Sequence, residues 1–322
     1  AQVIKVKQYS SVTVDYGGAW TASAWDGTVG GVLVAMVSGD ITLNNNGSIT
    51  MAGKGFRGGN GKWTNNYEAG LITYMSFQGE SSKGDGSQST SANGQGGGAA
   101  STGNRTTLPS AAGGGGGGYG TIGNNGTGMN GGEGGTGGET AGISTLEKDM
   151  LFGGGGGGSG NTNYTPVDNG GKGGGSIVFV VGGNITLNTG SFSVKGNKGN
   201  NDQSDNTGGA GGGAGGSIRL ICARAVALKT GIVIATGGAG TLGYGYISGA
   251  NGGDGGVGRI ATISSATVSG TSDPTIDSSS TDTTTTTNPF ITTLPPTVST
   301  VSATNVTSSS ATLNGTVNAN GA

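Results

Sequence analysis

Apolar and polar side chains alternate with a period of two in several short stretches of the chain, the signature of strands with one buried face. The densest alternation occurs twice, as GGSIVFVVGGNITLNTGSFSVKG from Gly174 to Gly196 and GGSIRLICARAVALKTGIVIATG from Gly215 to Gly237. In each copy a Gly-Gly pair opens a β-branched run. A second short strand begins ten residues after the second glycine, at Ile185 and Val226, and a third follows a glycine turn at Gly190 or Gly231. The stretch Gly30 to Gly53 keeps this spacing with Ile41, and GGVGRIATISSATVSG from Gly255 repeats part of it, placing Arg259 in the position of Arg219. A three-strand unit of this kind cannot bury its own apolar face, whereas stacked units bury a shared one.

The expected fold is therefore all-β: a β-solenoid, or β-helix-like stack, of about 3.5 coils. Ile41, Ile185 and Val226 are expected in one stacked column. Residues 1–29 read as an N-terminal β cap, with a strand pair in IKVKQYSSVTV from Ile4 to Val14. Residues 30–270 read as the solenoid, interrupted by glycine-rich excursions at 54–172, 197–214 and 238–254. The long excursion holds two runs of six glycines, Gly113 to Gly118 and Gly153 to Gly158. Polyglycine lacks side chains that would keep backbones apart, so these segments are expected to lie side by side as a polyglycine-II layer beside the stack. One helical turn is expected at Ser144 to Met150 and almost no helix elsewhere. Residues 271–295, rich in Ser, Thr and Asp, read as a linker, and 296–322 as a β tail.

Composition sharpens this picture. Glycine supplies 77 of 322 residues against 6 prolines, far above its average of roughly 7% and unlike a collagen triplet. Each ordered glycine costs roughly 0.5 to 1 kcal/mol relative to alanine, so close backbone packing must offset a large entropic loss. A formal charge of −2 with scattered Lys and Arg gives no footprint for nucleic acid, and no apolar run reaches the roughly 20 residues of a membrane span. Without histidine and with one cysteine, Cys222, the chain lacks the usual metal, haem and nucleophilic sets, and Cys222 reads as a buried small hydrophobe. Asp202, Asp205 and Asp254 lack the recurrence of a calcium repeat and read as loop residues. Neither enzyme activity nor a cofactor is expected. The start Ala-Gln-Val reads as a mature N-terminus after signal-peptide cleavage, implying export to the cell surface.

On GGSIRL, ATGGAG, GGDGGVGRI, GGGGGGYG and GKGFRGG, roughly residues 30–265 resemble glycine-rich bacterial surface proteins whose β-helical coils alternate with polyglycine insertions. The closing PPTVSTVSATNVTSSSATLNGTVNANG is similar to the first two strands of bacterial fibronectin type III-like modules. In composition the glycine layer also resembles phage tail-fibre tip adhesins and snow-flea antifreeze proteins. The function expected is a structural subunit of an extracellular filament or surface layer, a homo-polymer joined head-to-tail through terminal strands. Donor-strand residues would be Val298, Val301, Val306, Leu313 and Val317. The alternatives are an adhesin that presents Trp63, Tyr67, Tyr74 and Tyr119 to surface glycans, and an ice-binding protein.

Overall fold

The computed structural model describes residues 2–63, 74–103, 110–147, 149–161, 168–200, 207–228, 232–266, 268–281, 297–305 and 307–318. The chain divides into two compact units, Ala1–Thr281 and Asp282–Ala322. Among the described residues it is nearly all β, with a single 3-10 turn at Gly245–Ile247.

Three parallel sheets, visited in rotation, make up the stack. The first round is β1 (Lys7–Tyr9), β2 (Val12–Val14) and β3 (Ala19–Trp20); the second is β4 (Val32–Val37), β5 (Ile41–Leu43) and β6 (Ser48–Thr50). The glycine-rich excursion then contributes the two-residue strands β7 (Lys62–Trp63), β8 (Ala111–Ala112), β9 (Gly128–Met129) and β10 (Gly160–Asn161) to a sheet of their own. The rotation resumes with β11 (Ser176–Val181), β12 (Ile185–Leu187) and β13 (Ser191–Ser193), followed by β14 (Ser217–Cys222), β15 (Val226–Ala227) and β16 (Ile232–Ile234). It ends with β17 (Arg259–Ser264), β18 (Val268–Ser269), β19 (Ser272–Asp273) and β20 (Ser278–Thr281). The sheets are ordered β1-β4-β11-β14-β17-β20, β18-β15-β12-β5-β2 and β19-β16-β13-β6-β3. In the second unit, β21 (Thr297–Thr304) and β22 (Thr312–Asn318) form an antiparallel pair.

Strict pairing aligns like side chains into columns. Ile41 pairs with Ile185 and Ile185 with Val226, and Val12 and Val268 extend that column at its two ends. Ala35, Phe179, Leu220 and Thr262 form another, and Trp20, Ile49, Phe192 and Val233 a third. The interior positions are the buried half of each alternating run; Ile41, Ile185, Phe179 and Phe192 are fully enclosed. Trp20 stacks on Phe179 at 5.0 Å. At the corners, polar side chains bridge successive rounds: Asn184 N–H donates to Asp40 Oδ1 at 2.6 Å, and Ala225 N–H donates to Asn184 Oδ1 at 3.3 Å.

Five expectations need correction. The strands at the N-terminus do not pair with each other; β1 and β2 belong to different sheets and, with β3, form a complete further round. The stack is thus longer than three and a half units, and the segment from Arg259 completes its round. Arg259 pairs with Ser217, while Arg219 pairs with Ala261, a slip of two residues from the sequence alignment. A two-residue slip leaves inside and outside unchanged, because side chains alternate with period two. The Ser/Thr-rich stretch from Thr271 is not all linker, since β19 and β20 continue two sheets through backbone pairing that asks nothing of the side chain. Finally, the described part of Ser144 to Met150 has no helix; Leu146 and Asp149 take φ of 52° and 55°, which break a right-handed helix.

Candidate functional site

The excursions return to one place and pack against one another as a layer of extended glycine backbones. The run Gly113–Gly118 donates its amides in rotation. Gly113 and Gly116 bond to the carbonyls of Thr127 and Asn124, Gly114 and Gly117 to Gly209 and Gly212, and Gly115 and Gly118 to Gly98 and Gln95. The carbonyls of the same run accept in a matching rotation, from Gly135 and Gly138, from Gly253 and Gly256, and from Gly157 and Gly154. One strand therefore touches six neighbours, three by donation and three by acceptance. Partner numbers rise toward Gly209 and Gly212 but fall toward Thr127 and Asn124, so parallel and antiparallel neighbours coexist. Gly153–Gly158 follows the same rule toward Gly174 and Gly171, Gly118 and Gly115, and Glu80 and Phe77. The third central segment, Gly209–Gly216, does so toward the strands around Gly253, Gly157 and Asn197.

This geometry explains why Gly113–Gly118 and Gly153–Gly158 are pure glycine, while Gly209–Gly216 admits only the methyls of Ala210 and Ala214. A methyl on Gly116 would run into the Asp254 carbonyl, and one on Gly155 into the Arg57 carbonyl. At the rim every third residue faces water, and there side chains return: Glu133, Thr136 and Glu139 on one strand, Asn251, Asp254 and Val257 on another. Several rim side chains also close outward-facing amides. Asn125 Oδ1 accepts from Gly137 N–H at 2.7 Å, Asp254 Oδ1 from Gly240 at 2.8 Å, Asn169 Oδ1 from Gly61 at 2.9 Å and Thr121 Oγ1 from Val257 at 3.0 Å. Of these capping residues Asn125, Asn169 and Thr121 were not among the candidates drawn from sequence, and Asp254 was read only as a loop residue, although each stands beside a glycine. Asp254 thus has a backbone partner; Asp202 and Asp205 lie outside the described residues. Among the described residues no cluster of three potential metal ligands occurs.

Two side-chain junctions fasten the layer to the stack. In the first, Trp25, Phe56 and Phe152 pack at 5.2 to 6.3 Å between ring centroids. Beside them Glu80, 5% exposed, accepts from the Trp25 indole N–H and from the backbone amide and Nε of Arg57, each at 2.9 Å. Burial opposes ionisation of Glu80, but the bonds from Arg57 and Trp25 together outweigh it and hold the carboxyl below its ordinary 4.5. The hydrogen bonds that Arg57 donates to Glu80 in turn raise its own pKa, and its outer nitrogen also meets Asp85. In the second junction, buried Tyr119 packs with Leu146, Ala214 and Ala261, its hydroxyl accepts from Leu151 N–H at 3.3 Å, and Arg259 lies 5.7 Å from its ring. Burial pushes the Tyr119 phenol up.

The ends of the stack differ from each other. At the N-terminal end β1, β2 and β3 present unpaired edges, and the interior columns open into a cleft of about 450 Å³ lined by Tyr9, Val12, Val14, Ala19 and Trp20. At the other end the column of Phe179 and Leu220 turns polar at Thr262, which pairs with Ser279. Lys5 and Lys7 stand at the first end, and Asp273 and Asp277 at the second.

The other candidates from sequence fall as follows. Tyr119 has no exposed surface and cannot face a ligand, because it fills the junction just described. Tyr74 is half-buried with Lys62 Nζ 6.0 Å from its ring. Trp63 lies in β7, paired in register with Asn161, and Tyr67 lies outside the described residues. In the tail Val298 pairs with Val317 and Val301 with Asn314, Leu313 lies in β22, and Val306 is outside the described residues. Cys222 is enclosed in the stack, and burial pushes its thiol up, as for a packing residue rather than a reactive one. Among the described residues no helix is long and apolar enough to cross a membrane. No family model, curated protein or solved structure matches the chain.

Proposed function

We propose that the protein is a secreted structural subunit of an extracellular filament or surface layer, in which a β-solenoid and a polyglycine-II layer form a rigid body that assembles head-to-tail. The carrying observation is the pair of unpaired parallel edges. Every strand of the stack points the same way, so the edge of β1–β3 is the hydrogen-bonding complement of the edge of β18–β20, and repetition of one such contact gives an open fibre. The half-buried Tyr9, Val12 and Trp20 supply apolar area for that contact, and exposed Lys5 and Lys7 at one end are opposite in charge to exposed Asp273 at the other. The β21–β22 tail adds strands to a neighbour by main-chain pairing. Deleting residues 294–322 is expected to shorten or abolish the polymer seen by electron microscopy; unchanged polymers overturn the role of the tail.

An adhesin reading draws on the loop aromatics that keep some exposure, Tyr74 and Phe77. Its test is a glycan array, on which Tyr74→Ala would abolish binding. An array without signal from intact polymer sinks it.

A further inference from the structure

The glycine layer is electrically two-sided. On one rim strand Lys195 and Lys198 are exposed, three residues apart, and on the next strand stands exposed Lys172, whose carbonyl accepts from Asn197 N–H. Among the described residues the ion pairs are formed by Arg57, Lys83 and Arg259, and these three lysines form none. On another rim strand Glu133, Thr136 and Glu139 are exposed at the same three-residue step. Glu139 has only Lys83 at 4.0 Å, with both side chains about two-thirds exposed, a pair of little strength that is readily exchanged. The lysine strand bonds to the central segment at Gly213 and Gly216, and the glutamate strand to a different central segment at Gly113 and Gly116. The two strands therefore lie on different sides of the layer.

We propose that the lysine strand of one copy docks laterally on the glutamate strand of a second copy. Side chains recur every three residues, roughly 9 Å, on both strands; the two lysines stand one such step apart and the two glutamates two steps apart with Thr136 between them, so in each register one lysine stands opposite a glutamate and its neighbour beside Thr136. Glycines flank both sets, Gly196 and Gly199 on one side and Gly134, Gly135, Gly137 and Gly138 on the other, and so the backbones approach closely. The layer already combines parallel and antiparallel neighbours, and it accepts a further strand in either direction. The contact joins unlike faces and continues from copy to copy. It is separate from the end-on contact, which uses β1–β3, β18–β20 and the tail.

The test mixes ¹⁴N- and ¹⁵N-labelled full-length protein, joins amines to carboxylates with a zero-length carbodiimide and reads the linked peptides by mass spectrometry. Mixed-isotope links from Lys195 or Lys198 to Glu133 or Glu139 are expected, falling about tenfold between low salt and about 1 M salt as the charges are screened. Lys195→Glu with Lys198→Glu should abolish lateral bundling in electron micrographs. Mixing that variant with Glu133→Lys, Glu139→Lys should restore it, and because the two variants complement each other they also control for folding. Links confined to a single isotope, or loss of bundling without restoration on mixing, overturns the proposal. Neither result bears on the end-on contact, which the tail deletion tests separately.

Discussion

Across the interior of the β-stack Phe179 and Phe192 meet at 6.0 Å between ring centroids, whereas the centre of the glycine layer holds no side chain larger than the methyls of Ala210 and Ala214. The stack is held by apolar area: aligned columns of Ile, Val, Leu and Phe exclude water, and the backbone bonds only within its sheets. In the layer the backbone bonds in every lateral direction, and cohesion comes from amide–carbonyl pairs and dispersion between bare chains. The two regions therefore fail in opposite ways. One is weakened by removing atoms and the other by adding them.

The largest effect is expected from addition at the centre of the layer. Gly116→Val places a branched side chain against the Asp254 carbonyl with neighbours on all sides, and should cost upward of about 4 kcal/mol, seen as lost thermal cooperativity and rapid proteolysis of the excursion. A valine tolerated at this position would break the comparison. Next comes removal from the stack: Phe179→Ala should cost about 3 to 5 kcal/mol in denaturant unfolding, through lost transfer energy and a cavity against Trp20 and Phe192. Smaller still is the junction. Glu80→Gln should cost about 1 to 2 kcal/mol near neutral pH, allowing for the partial exposure of Arg57. The Glu80 carboxyl is held below its ordinary 4.5 in the fold, so its contribution is present above that value and lost as pH falls through the lower folded value. Wild type and variant should accordingly converge in melts at acid pH, and a difference that persists there would remove the ion pair from the account.

The all-β stack is legible because period-two runs and glycine spacing repeat in letters as well as in structure. The first round is not, since Lys7–Trp20 has no Gly-Gly opening and half of its interior positions are aromatic or exposed. Nor are β19 and β20: Ser and Thr there pair through their backbones without any apolar signal. In the layer, the six-glycine runs stand out, but the feature that separates centre from rim is the side chain at every third position, as in Glu133, Thr136 and Glu139. Glycine abundance hides that period. Tyr119 is misread for a related reason: an aromatic beside a glycine run reads as a candidate for facing a ligand, and only the fold brings Leu146, Ala214 and Ala261 around it.

The stretch between β6 and β11 enters the sequence between two rounds that pair directly, β4 with β11 and β5 with β12. Tension applied along the stack is carried by those pairs and, in parallel, by the inserted chain, which is bonded to later rounds through Gly209, Gly212, Ser217 and Arg259. When both sets of bonds part, the insertion becomes slack that pays out at about 3.4 Å per residue, a reserve of roughly 400 Å of contour. A protein built this way yields by lengthening before it breaks, and a single step of about that size in a pulling experiment would be its signature.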